Sequence, residues 1–501
     1  PCVLNRSLFV PSAVPLKILF VTPECAPWAK TGGLGDVSAA LPQALMRLGH
    51  DVRVLMPAYR SMRPLLAQAK RRHTWPAEGP WPEAQLAEVE AGGLSLLLLD
   101  CPGFYDRHGS PYGDPGGPDF EDGARRFGFL SAVAARLSID PSPRRGWRWR
   151  ADVLHANDWP TGLAPAYLGL DRHRQAVSVF TIHNLAFQGM FPVERGLSIG
   201  LPQSWLSVDG ALHWDQLCLL KAGVRFADAV TTVSPTYARE IQEPEMGFGM
   251  DGMMRARAAD LHGILNGIDP ESWNPARDPL IVQHFDAGSL EGKTVNKLAL
   301  QHRLGLAESD EPVLFGMVSR LTEQKGVDLV LDNIDWLTEQ GHQVVVLGKG
   351  EARFEQALAQ AAARHPGQVS AIAGFDEALA HLIEAGSDVF LMPSRFEPCG
   401  LNQMYSQAYG TAPIVRATGG LADSVDDARP GTDKGTGFVF QEPTAMALRE
   451  ALQRALSLRQ DREAWRALQR RGMARRFDWA VSAKRYEALY RKLQMRQRPS
   501  A

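Results

Sequence analysis

Charged side chains next to glycine-rich turns, each just after an apolar run, give this chain the means to hold an anion and a polyol side by side. The first such place is KTGGLGDV at 30–37. Gly32 and Gly33 remove the Cβ that would block approach to backbone N–H groups, and the Lys30 ammonium can neutralise a phosphate or carboxylate. The lysine precedes the glycines, so this is not a Walker A loop, and it lacks the G-x-G-x-x-G of a dinucleotide fingerprint. A tight strand-to-helix turn with a solvated lysine fits the same residues.

Arg320 and Lys325 stand five positions apart after the apolar run 313–318, where open α/β sheets bind ligands. A forked guanidinium and a compact ammonium together can clamp a diphosphate and stabilise charge developing on a leaving group, although a solvated helix start also fits two cations. Glu397 follows the run 389–393 in SRFEPCGL at 394–401. Its carboxylate can accept from sugar hydroxyls, while amides near Gly400 can meet phosphate. Thr418, Gly419 and Gly420 open another helix after a strand, as an N-cap or as an anion seat. His183-Asn184 and His155-Ala156-Asn157-Asp158 end adjacent expected strands. No HExxH or other metal-ligand spacing and no G-x-S-x-G elbow accompanies them.

These residues need rigid elements behind them. Short β-rich runs at 17–22, 51–56, 94–99, 153–155, 178–183 and 229–233 alternate with helical stretches such as 38–48 and 124–137. The alternation recurs with strands at 313–319, 343–347, 370–373, 389–393 and 412–415 and helices at 326–338, 355–364 and 402–409. An α/β protein with two Rossmann-like, doubly wound parallel-sheet domains is predicted. The join falls near 265–270, where Asn, Gly and Pro follow an apolar strand, which gives domains at 1–262 and 263–478. Residues 479–501 form a C-terminal helix expected to pack back on the first domain, with Tyr486, Leu489, Tyr490 and Leu493 on one face. Residues 109–118 and 426–437 read as surface loops.

A length of 501 residues exceeds one ordinary core, and 54 Lys+Arg against 56 Asp+Glu leaves a net charge of −2. Such a balance offers no field for nucleic acid or an anionic membrane. The five cysteines are scattered and without CxxC spacing, which predicts neither a disulfide framework nor a zinc site and fits a reducing cytoplasm. The apolar run 16–23 is too short for a membrane span and leads into the glycine loop; it reads as the first strand. The residues ahead of it read as a processed or trimmed tail, with no signal peptide or transmembrane segment apparent.

Several segments, in order along nearly the whole chain, resemble the bacterial glycogen synthases and plant starch synthases, family GT5 retaining glucosyltransferases of the GT-B fold. They are KTGGLGDV at 30–37, YDRHGSPYGD at 105–114, FTIHNLAFQGMF at 180–191, KAGVRFADAVTTVSPTYAREI at 221–241, GILNGIDPESWNP at 263–275, SRLTEQKG at 319–326, PSRFEPCGL at 393–401 and TGGLADSV at 418–425. The resemblance implies two domains facing across a deep cleft. It also implies transfer of glucose from ADP-glucose to the nonreducing 4-OH of an α-1,4-glucan with retention.

By position, the resemblance assigns catalysis to Lys30, Asp158, His183, Arg320, Lys325 and Glu397. Donor binding falls to Gly32, Gly33, Asn266, Phe375, Cys399, Gly400, Leu401, Tyr405, Thr418, Gly419 and Gly420, and acceptor binding to Asp36 and Tyr112. Three positions depart from the family pattern: Asn157 for a common His, Phe375 for a Tyr against the adenine, and Asn402 for a Thr. Tyr405 stands where wider retaining transferases carry a second Glu. The implied partners are ADP-glucose and glycogen or another α-1,4-glucan, with no metal, other cofactor, nucleic acid or membrane, and with oligomeric state open. Rival readings are a related transferase using UDP-glucose or another acceptor, an inactive glucan-binding protein, and a nicotinamide dehydrogenase.

Overall fold

Lys17–Val21 forms strand β1, whose last four side chains are all buried, as befits a strand covered on both faces. It leads through the glycine loop into helix α1 (Gly33–Arg47), where Leu34, Val37, Leu41 and Leu45 recur at helical spacing and turn one face inward. The computed structural model describes residues 14–114, 117–139, 147–429 and 432–497. The expected N-terminal tail through residue 13, Cys2, residues 115–116 and 430–431 of the two expected loops, and residues 498–501 lie outside the described residues.

Further strands of the first sheet are β2 (Asp51–Pro57), β3 (Arg71–Trp75), β4 (Ala84–Ala91), β5 (Leu94–Asp100), β6 (Val153–Asn157) and β7 (Val177–Ile182). Seven strands run in the order β7-β6-β1-β2-β5-β4-β3. The run from β7 to β5 is parallel, as the alternation predicts. Beyond it, β4 and β3 add an antiparallel edge, a departure from the all-parallel expectation. The cause is local: Gly92 and Gly93, at φ +55° and +72°, form the two-residue turn that folds β4 back on β5. The polar strand Arg71–Trp75 then ends the sheet.

In the second sheet, β8 (Leu314–Val318), β9 (Gln343–Gly348), β10 (Val369–Ala373), β11 (Val389–Met392), β12 (Ala412–Arg416) and β13 (Phe438–Phe440) are parallel throughout, in the order β10-β9-β8-β11-β12-β13. Its core includes Phe315, Met317, Val344, Val346, Leu391 and Ile414 packed against Val330, Ile334 and Leu337 of the helix Val327–Glu339. Removing one such leucine or isoleucine side chain costs about 2–5 kcal/mol.

The chain divides into two compact units. One holds the chain up to Thr181, Phe187–Ala229 and the residues from Tyr486 on; the other holds Ile182–Ala186 and Val230–Arg485. This partition differs from a join near 265–270, because residues 230–262 and His183 fall in the second unit. The expected apolar face of the last helix, Trp479–Gln497, is present, with Tyr486, Leu489, Tyr490 and Leu493 all buried. Among the described residues no helix is long and apolar enough to cross a membrane.

Candidate active site

In the first unit, Lys30 and Asp36 form an ion pair of 2.7 Å with both side chains more than one-third exposed. The amides of the glycine loop already hold an anion from the chain itself. The buried Glu24 carboxylate accepts from Thr31 N at 2.7 Å, Thr31 Oγ1 at 2.5 Å and Gly32 N at 3.2 Å. It also accepts from the Tyr112 hydroxyl at 2.5 Å, so one carboxylate ties together two expected site segments. Burial, and then the adjacent Glu24 charge, push the Tyr112 hydroxyl well above the ordinary phenol range. A Cβ on Gly32 or Gly33 would meet nothing within 4 Å. These two glycines therefore border open space.

Asp158 sits at φ +56°, ψ 175°, a conformation that costs a non-glycine residue about 1–3 kcal/mol and is retained mainly at functional sites. The ring of its neighbour Trp159 lies 5.8 Å from that of Tyr112. His155 and Asn157, by contrast, are structural. His155 Nε2 meets Thr181 Oγ1 at 2.6 Å and its Nδ1 meets Tyr490 Oη at 2.7 Å, while Asn157 Nδ2 donates to Val21 O at 3.0 Å.

The second unit gathers Arg320, Lys325, Glu397, Gly400 and Leu401 around one cavity of about 180 Å³, at the carboxyl ends of β8 and β11. Lys325 Nζ pairs closely with Glu397 Oε2, which also accepts from Ser394 Oγ at 3.1 Å. Arg320 is exposed, has no ion-pair partner among the described residues, and reaches only Gln324 Oε1 at 3.4 Å. Its guanidinium thus lines the site with no carboxylate among the described residues paired to it.

Two turns carrying these groups are stitched together. Arg395 N donates to Gln324 O at 2.7 Å, Gln324 Nε2 donates to Phe396 O at 3.1 Å, and Arg395 grips Asp328 through two bonds of 2.8 and 2.7 Å. Gly326, at φ +69°, must be glycine because a Cβ there would lie 2.2 Å from Pro393 O. Beside the apolar strand residues Met317, Val318, Leu391 and Met392, polar groups are added to the lining by Ser319, Ser394 and Asn402. The sequence reading did not assign these three, although all lie inside or beside its motifs, and Asn402 Nδ2 anchors helix α2 (Asn402–Ala408) to Val318 O at 2.8 Å.

The remaining expected residues of this unit do not line that cavity. Phe375 is 87% exposed. Cys399 is buried, its thiol pushed up to about 12 by burial and faced by hydrogen-bonding groups of Asn266. His183 is partly buried, and desolvation pulls its imidazole down to about 3, so it is neutral at neutral pH. Tyr405 stacks on Trp273 at 3.8 Å, the opposite partner of Trp273 being His381, also at 3.8 Å. Asp278, wholly buried, holds that arrangement through His381 Nδ1 at 2.7 Å and the Tyr409 hydroxyl at 2.5 Å.

Thr418, Gly419 and Gly420, expected to face an anion from outside, are occupied by the chain. Thr418 Oγ1 and Gly419 N donate to the Glu240 carboxylate at 2.9 and 3.0 Å. Here both glycines are sterically required: a Cβ on Gly419 would lie 1.9 Å from Glu397 O, and one on Gly420 2.0 Å from Cys399 O. Among the described residues no group of three or more His, Cys, Asp or Glu is placed to hold a metal ion.

Residues 17–256 match the family described as starch synthase catalytic domain, and residues 301–471 match glycosyl transferases group 1. A glycogen synthase of Paracidovorax citrulli is 55% identical over 95% of this chain and 94% of its own length. One from Aromatoleum aromaticum is 54% identical over 95% and 97%. Among solved structures, the catalytic domain of starch synthase IV from Arabidopsis thaliana, bound to ADP and acarbose, superposes with a TM-score of 0.83. It is 34% identical and covers 96% of this chain and all of its own.

Proposed function

The chain belongs to the glycogen synthase family of GT-B glycosyltransferases, and from that premise we propose that it transfers glucose from ADP-glucose to the nonreducing 4-OH of an α-1,4-glucan with retention of the α configuration. The observation that carries the reading is the meeting of Arg320, Lys325 and Glu397 at one cavity, two cations beside a carboxylate that accepts from hydroxyls. Arg320 and Lys325 hold the diphosphate and stabilise the charge it gains as the glycosidic C–O bond breaks. Glu397, tethered by Ser394, fixes the glucosyl unit through its hydroxyls. Gly400 and Leu401 bring backbone amides to the phosphates at the start of α2.

The acceptor 4-OH attacks from the face the diphosphate leaves, and the departing phosphate oxygen takes its proton. Because positioning and electrostatics dominate such a step, the site acts by holding charges where they are needed. His183, neutral, and Asp158 serve the glucosyl unit, Lys30 with Gly32 and Gly33 the donor phosphates or acceptor side, and Asp36 with Tyr112 the acceptor. Phe375 offers its exposed ring to the adenine, Tyr405 and Asn266 support the donor site, and the enzyme works in the cytoplasm.

The test is glucosyl transfer to glycogen from ADP-glucose and UDP-glucose in parallel, with a chelator present. Rapid ADP release dependent on glycogen is expected. Glycogen binding without turnover of either donor would overturn the assignment.

A further inference from the structure

The segment that follows Ser234 holds the Glu397 turn from several sides at once. Ser234 Oγ donates to Pro398 O at 2.7 Å, and the Phe248 ring meets the Phe396 ring edge-on at 5.6 Å, so the residues either side of Glu397 are both held. Between them runs the short helix Pro235–Glu240, bolted at both ends to the helix Gly419–Ser424. Thr236 donates from N and Oγ1 to the Asp423 carboxylate at 2.7 and 2.8 Å, and Glu240 receives Thr418 Oγ1 and both contacts of Gly419 N, at 3.0 and 3.1 Å. The next amide, Gly420 N, donates to Glu397 O at 3.2 Å and Pro398 O at 3.1 Å. A continuous line of bonds thus runs from the Glu240 carboxylate through the Gly419-Gly420 peptide to the backbone of Glu397.

We infer that Glu240 is a positioning residue for glucosyl transfer: its carboxylate is a built-in anion that fixes the Thr418–Gly420 turn, and through it Glu397, and keeps the donor diphosphate off the Gly419 amide. The assignment of Glu397 to the glucosyl unit rests on the function proposed above. Two features favour a fixed internal anion over a seat for substrate. The Gly419 N–H is already satisfied by two carboxylate oxygens, and the Gly419 backbone is pressed against Glu397 O so closely that no Cβ fits. The turn cannot shift without moving Glu397.

Three variants test this: Glu240→Ala, which removes the anion; Glu240→Gln, which keeps an accepting oxygen; and Thr236→Val, which loosens the opposite bolt. A displacement of the reacting geometry by about 1 Å costs on the order of a hundredfold in rate. Glu240→Ala is therefore expected to lower kcat by up to that factor while ADP affinity stays within about threefold, since Arg320, Lys325 and the Gly400 amides are untouched. Added formate, small enough to enter the vacated place, should restore part of kcat in Glu240→Ala and none in the parent. Glu240→Gln should retain most activity, and Thr236→Val should fall between the two.

Hydrogen exchange at the Gly419 and Gly420 amides gives a readout independent of turnover: protection in the parent, lost in Glu240→Ala and regained with formate. If the parent transfers no glucose yet this exchange pattern holds, the function reading fails and the positioning link stands. Tighter ADP binding in Glu240→Ala would show a phosphate seat at Gly419 and overturn the inference. Unchanged kcat and protection in Glu240→Ala, or equal losses in Ala and Gln variants without formate rescue, would overturn it as well.

Discussion

Two glycine pairs read alike in the sequence and behave in opposite ways in the structure. Gly32-Gly33 and Gly419-Gly420 each follow a strand, open a helix and have amides bound to a carboxylate of the chain, Glu24 in one case and Glu240 in the other. Around the first pair an added Cβ would meet nothing within 4 Å; around the second it would strike backbone oxygens at 2.0 Å or less. Glycine at 419–420 is thus demanded by the protein's own packing beneath Glu397. Glycine at 32–33 is not, and the space it leaves is available to a ligand. The same motif grammar serves close packing in one place and access in the other.

Gly419→Ala attacks the packed pair directly. Its clash and its φ of +43° should lower unfolding free energy by about 3 kcal/mol, read from urea denaturation, with activity lost in step. A variant with parent stability would dissolve the contrast. Next in size, Arg320→Ala and Lys325→Ala should each lower kcat by roughly a hundredfold or more. The two should part in stability: the Lys325 change strands the buried Glu397 carboxylate and lowers the melting temperature, whereas the exposed Arg320 has no ion-pair partner among the described residues to abandon. Steady-state kinetics beside calorimetry separates them.

His183 tests the opposite demand, a group that must stay uncharged. Its folded-state value of about 3 lies below the ordinary 6.5, so on unfolding the chain takes up a proton between those limits. This contribution to stability is complete above the ordinary value and declines as pH falls toward the folded one. At most it amounts to about 1.4 kcal/mol per pH unit inside the window. His183→Gln should flatten the pH dependence of stability there by about one proton. An unchanged slope would show that the imidazole charges freely in the folded chain. The smallest effect is expected for Gly33→Ala: stability within about 0.5 kcal/mol of the parent, with a raised KM for donor or acceptor. A marked loss of stability would erase the difference between the two pairs.

The parallel strands were legible because buried apolar runs between turn residues leave a clear trace, as at 313–318 and 343–347. The antiparallel edge was not, since Arg71–Trp75 is polar and mostly exposed, and its partner β4 is recognisable only once Gly92-Gly93 is known to be a two-residue turn. Arg320, Lys325 and Glu397 were legible from their places after strands, and they do meet in one cavity. Glu24, Glu240 and the stack of Tyr405, Trp273 and His381 were not. Glu240 and the stack depend on partners remote along the chain, 179 positions away for Glu240 and Gly419 and 103 for Asp278 and His381, and Glu24 reaches Tyr112 across 88 positions besides its near partners Thr31 and Gly32; local spacing carries no trace of the remote pairings.

The last helix carries a consequence for the order of events on the ribosome. Tyr490, from the final stretch of chain, supplies the hydroxyl bonded to His155 Nδ1 in the interior of the first unit. Translation delivers strand β6 more than three hundred codons before that hydroxyl exists. The early-made unit must wait for the bond at the Nδ1 of this buried imidazole until residue 490 has been added, although its Nε2 can already meet Thr181, which makes completion of that interior a late step in biosynthesis.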